Sequence, residues 1–145
     1  MKFAIKNHNK KTIEPIDDER KILFAKILRD ADKLDIYRVL LPYLKQENAD
    51  KMPNFITGRS PDISPDFVEK FVRAEQTDYN LIRTNGDRKI VRLMWIYDVN
   101  FKWTMEKIVE RGYIDKIVEN LPINEKVAEG VRRLRGYVEQ VISGK

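Results

Sequence analysis

The chain has 145 residues, 42% of them hydrophobic and 35% charged, which fits one soluble, charge-rich domain long enough for a real core. It has no cysteine and a single histidine, which excludes disulfide frameworks, thiolate metal sites, a cysteine nucleophile and any histidine-rich metal site assembled from this chain alone. The formal net charge of +5 is modestly basic, but 23 acidic residues are interspersed and no long basic block exists, so nucleic acid is not an expected partner. No apolar run approaches the roughly 18 residues of a membrane span, and no signal-peptide pattern opens the chain, so the expected location is cytoplasmic and no membrane partner is expected.

Taken in order, residues 1–9 read as the end of a helix, with Phe3, Ala4 and Ile5 apolar and Asn9 as a stop. A connection broken by Pro15 follows. Asp17, Asp18 and Glu19 then place negative charge where a helix start favours it, with Asp17 or Asp18 as cap. The spacing predicts a long helix to about Gln46, with Pro42 as a kink or the start of a second segment. Its apolar residues cover more than one face, which predicts a central helix touched from several sides.

Residues 48–64 carry Pro53, Gly58 and Pro61 and read as a long loop. Ser64 and Pro65 begin a short helix that faces inward through Phe67, Val68, Phe71 and Val72. Asn85-Gly86 reads as a turn, with Asp87 capping the next helix, whose second half is apolar nearly all round. Two short helices near 103–111 and 113–120 are divided by Gly112. Asn124 caps a last helix striped by Val127, Val131, Leu134, Val138 and Val141, with Arg132, Arg133 and Arg135 on its wet face. No alternating pattern demands a strand. The expected fold is an all-α multi-helix bundle in one domain, divided as 1–47, the 48–64 loop and 65–145.

The stretch that asks for explanation is Ile27-Leu28-Arg29-Asp30-Ala31-Asp32-Lys33-Leu34-Asp35-Ile36. Asp32 and Asp35 share a helix face with Ala25, Leu28, Ile36 and Val39, where a charge is costly unless paired or metal-bound. Asp30 points roughly 200° away from Asp32, beside Lys26 and Lys33, and reads as a solvated partner of Lys26. For Asp32 the plain reading is a pair with Arg29 or Lys33, and for Asp35 a pair with Arg38. Asp98, alone in the Trp95–Val99 apolar stretch, reads as structural, and Arg59 in the long loop as a candidate phosphate contact.

Together with Ala4-Ile5-x-x-His8 and Trp95-Ile96-Tyr97-Asp98-Val99-Asn100-Phe101, this run resembles the C-terminal half of a bacterial HD-domain protein, a superfamily of helical metal-dependent phosphohydrolases. The resemblance implies an incomplete HD-type helical domain with a C-terminal helical extension. It implies Asp32 as a metal ligand, and His8 as a contact to a second metal or to substrate phosphate. Asp35, Lys33 and Arg29 would be supporting residues, Asp35 by orienting a first ligand and the two cations by meeting phosphate. The family's first histidine and its His-Asp pair are absent and would have to precede Met1.

The complete family site holds a divalent metal ion that lowers the pKa of bound water and neutralises phosphoryl charge. Here one ligand of that set is visible, so the expectation is no metal or a weakly held one, and no catalytic residue is assigned. The expected function is the C-terminal part of a phosphohydrolase acting on a phosphate ester or nucleotide, inactive as this chain alone. The alternative is a non-catalytic helical binding or regulatory module. A phosphate-containing small molecule is the expected ligand. The missing N-terminal half, or a homo-oligomer, is expected to cover exposed apolar surface.

Overall fold

The computed structural model describes residues 2–7, 13, 17–44 and 60–144. The fold is all-α: seven α-helices and no strand among the described residues. They are α1 (Lys2–Asn7), α2 (Glu19–Leu40), α3 (Pro65–Val72), α4 (Asn85–Met94), α5 (Lys102–Glu110), α6 (Tyr113–Glu119) and α7 (Glu125–Ser143). Among the described residues, 3₁₀ segments at Leu41–Tyr43, Tyr79–Leu81 and Trp95–Asp98 follow α2, precede α4 and continue α4. None of these helices is long and apolar enough to cross a membrane.

Local chemistry sets most boundaries. The Asp18 carboxylate accepts from the backbone N–H groups of Arg20 and Lys21 and starts α2. Pro42 converts its end to a 3₁₀ turn. Gly112, at φ +69°, takes the left-handed conformation that separates α5 from α6, and Asn124 caps α7 by accepting from Val127. The expected boundary at Asn85 is different. Helix α4 already includes Asn85 and Gly86, and its cap is Thr84, whose hydroxyl accepts from the Asp87 N–H. Asp87 is fully buried and used elsewhere: its carboxylate accepts from the N–H and hydroxyl of Ser64 and from the Arg83 N–H, tying α3 to α4. Ser64 therefore precedes α3 without a side-chain capping bond of its own.

The core gathers Phe67 and Phe71 of α3, Ile90, Leu93 and Met94 of α4, Met105 and Ile108 of α5, Ile117 of α6, and Val127, Leu134 and Val138 of α7. Gly130 lets α7 close on α3, because a Cβ there would lie 2.5 Å from the Phe71 ring. Helix α2 packs against α1 and α5 but is not wrapped on all sides, contrary to the expectation of a central helix. Leu23, Phe24, Ile27 and Val39 stay exposed along it. The apolar residues spread round α2 are thus divided between a covered face and an open one.

Candidate functional site

On α2, residues Arg29, Asp32, Lys33 and Ile36 fall at i, i+3, i+4 and i+7 and line one face. Helix α4 contributes Val91 and Arg92, and the 3₁₀ segment beyond it contributes Trp95 and Asp98. The connection after α3 closes the third side with Gln76, Thr77, Asp78, Tyr79 and Asn80. It is held in place where the Gln76 side-chain amide donates to the Met94 carbonyl and the Asp78 carboxylate accepts from the Asn80 N–H. The result is a cavity of about 490 Å³.

Its charges are sorted by depth. Arg29, Lys33 and Arg92 are buried, whereas Asp78 is exposed and Asp32 and Asp98 are half-buried. Arg29 donates to the Asn7 carbonyl of α1 at 2.9 Å and to Asp98 at 2.6 Å, and the Lys33 ammonium lies 3.1 Å from the same Asp98 oxygen. One carboxylate thus lies between two cations of α2. Arg92 has no ion pair among the described residues. Its guanidinium is stacked 4.2 Å from the Trp95 ring centroid and 5.2 Å from that of Tyr79, whose hydroxyl it contacts at 3.3 Å. The Arg92 carbonyl accepts from the Tyr37 hydroxyl at 2.5 Å, and burial holds that phenol protonated well above the usual tyrosine range.

Two polar atoms of the lining residues are orphans: Arg92 Nε and Thr77 Oγ1 are both buried without a hydrogen-bond partner among the described residues. Neither atom opens on the cavity; what an anion meets there are the deeper cations Arg29, Lys33 and Arg92, with the carboxylates of Asp32, Asp78 and Asp98 nearer the surface. The arrangement can bind such an anion by charge and by directed hydrogen bonds, with the guanidinium already held in plane by its aromatic neighbours.

The residues singled out in the sequence divide between the cavity and other duties. Asp32 borders the cavity and makes no hydrogen bond or ion pair with the described residues, so neither Arg29 nor Lys33 claims it. Arg29 and Lys33 are at the cavity as expected, but as buried partners of Asp98, which the sequence reading took as merely structural. Asp35 is not beside the cavity; it is exposed and paired with Arg38 at 2.8 Å. Asp30 corrects the reading most. It is 3% exposed and accepts from the Asn100 N–H, the Asn100 side-chain amide and the Phe101 N–H, not from Lys26. His8 and Arg59 lie outside the described residues. Arg92, Thr77, Tyr79 and Trp95 were missed as site residues. Arg92 had a signal: a cation inside the apolar Ile90–Met94 run poses the question that Asp32 posed.

A divalent metal does not fit the donors that the described residues bring to this cavity. Asp98 is committed to two cations, the Asp78 carboxylate caps a turn, and Asp32 alone is one donor facing buried positive charge. Among the described residues, no three His, Asp or Glu side chains converge to hold a metal ion. A second cavity of about 420 Å³, between α5, α6 and α7, has walls of Ile108, Ile114, Val138 and Ile142, and the exposed Arg135–Asp115 pair stands at it. Its cation is already matched, so it lacks the features of the first. The chain matches no protein-family model, no curated protein and no solved structure.

Proposed function

We propose that this chain is a helical phosphate-ester-binding module on an HD-type frame, the phosphate-recognising part of a phosphohydrolase site. The observation that carries the reading is a cavity in which the cations Arg29, Lys33 and Arg92 are buried while the carboxylates of Asp32, Asp78 and Asp98 lie nearer the surface. A phosphate monoester supplies acceptor oxygens for these cations, and Trp95 and Tyr79 offer apolar surface for the group it esterifies. The cysteine-free composition accords with a cytoplasmic location.

A second reading, the metal-dependent phosphohydrolase itself, is favoured by Asp32, a carboxylate bordering the same cavity without a partner among the described residues. It needs further ligands that the chain's single histidine does not supply. Titration calorimetry with p-nitrophenyl phosphate separates the two. The module binds the ester without releasing p-nitrophenol, and Lys33→Met, which keeps most of the side chain's length and removes its charge, weakens binding by roughly tenfold. Wild-type binding that Lys33→Met leaves unchanged, or no binding at low salt, removes the proposal. Release of p-nitrophenol with added divalent metal, lost in Asp32→Ala, establishes the second reading instead.

A further inference from the structure

Helix α2 has a second face that the cavity does not use. Leu23, Phe24 and Ile27 are 46%, 38% and 47% exposed, an open cost for large apolar side chains grouped within two turns. Arg20, Phe24, Ile27, Ala31, Asp35 and Arg38 recur at spacings of four, three, four, four and three, and all six are exposed. At about 100° per residue they fall on one stripe, roughly opposite Arg29 and Lys33. The spacing is that of a helix that pairs with another helix.

We infer that this stripe binds a second copy of the same chain, α2 against α2, antiparallel about a two-fold axis between Ile27 and Leu28. The charge order selects this occupant and this direction. In that register Phe24 of one copy faces the small Ala31 of the other, and Arg20 faces Asp35, which Arg38 of its own helix also pairs. Each favourable pair occurs twice, as a two-fold interface requires. A parallel pair would instead stack Arg20 on Arg20, Asp35 on Asp35 and Arg38 on Arg38, which is repulsive throughout. The apolar contact lies at the centre and the ion pairs at the rim, where they direct register more than they add affinity. Because the stripe lies opposite the cavity, both phosphate sites stay open in the dimer, and the inference stands apart from the proposed function.

Sedimentation equilibrium over a concentration series tests it, with circular dichroism confirming the fold of each variant. The wild-type chain sediments as a dimer of the 17.2 kDa subunit, and Ile27→Glu, a change at an exposed position, gives a monomer. Arg20→Asp alone and Asp35→Arg alone each place like charges at both rims and raise the dimer dissociation constant by roughly tenfold. An equal mixture of the two variants regains the wild-type constant. In the mixed dimer the aspartate introduced on one copy faces the arginine introduced on the other, and the native Asp35 of the first copy faces the native Arg20 of the second. A wild-type chain that stays monomeric overturns the inference and leaves the stripe to another partner or to solvent. A dimer that Ile27→Glu leaves intact, or variants that do not recover on mixing, overturns the helix pair or its direction.

Discussion

Asp30 and Asp32 are two residues apart and do opposite work. Asp30 reaches from α2 to the start of α5, where the Phe101 N–H and both donors of Asn100 meet its carboxylate at 3.0 Å. Phe101 precedes α5 and has no side-chain cap to offer, so a carboxylate from another helix supplies the negative charge that a helix start favours. Asp32 has no partner to lose among the described residues. Asp30→Ala should therefore lower stability by about 2–4 kcal/mol, because two backbone donors are left without their acceptor. Asp32→Ala should change it by less than about 0.5 kcal/mol. Urea unfolding of the two variants beside the wild type measures both. Equal effects would mean that Asp30 does not anchor α5.

At the scale of elements, the start of α4 depends on close backbone approach. Gly86 lies in the first turn of the helix, and a Cβ there would sit 2.5 Å from the Asp62 carbonyl oxygen and closer still to that of Pro61. The same approach lets the Asn85 N–H donate to the Ser60 carbonyl at 2.9 Å and the Thr84 hydroxyl to the Asp62 carbonyl at 2.5 Å. Gly86→Ala should destabilise by about 1–3 kcal/mol, although alanine is the better helix former by about 1 kcal/mol. A thermal midpoint equal to or above the wild type's would show that residues 60–62 can move aside. Asn85-Gly86 is a strong turn signal, but here glycine serves packing, and the difference lies in a loop 24 residues earlier that no local pattern reveals.

The same division runs through the whole molecule. Helix existence and most caps were legible, because Asp18, Pro42, Gly112 and Asn124 act on their own neighbours in sequence. The cavity was legible only along α2, where Arg29, Asp32 and Lys33 share a helical spacing. Arg92 was marked only by its place in an apolar run, whereas its contact with Tyr79 and the role of Asp98 depend on residues 13 and 69 positions apart and had no local pattern to show them. Lys89 is a charge of the same hidden kind. It is 4% exposed, its ammonium donates to the Asn120 carbonyl at 2.8 Å, and burial pushes its pKa down from 10.5 to about 8. Between those two values the unfolded chain holds a proton that the folded chain has released. Stability therefore rises as pH increases from about 8 to 10.5, and below that window the full cost of burying the charge remains. The slope contributed by this one group approaches about 1.4 kcal/mol per pH unit at its steepest. The basic chain also loses net positive charge over this range, so the comparison is wild type against Lys89→Met, which shares every other titration. Denaturation midpoints across the window should climb more steeply for the wild type, and parallel curves would mean that Lys89 stays protonated in the fold.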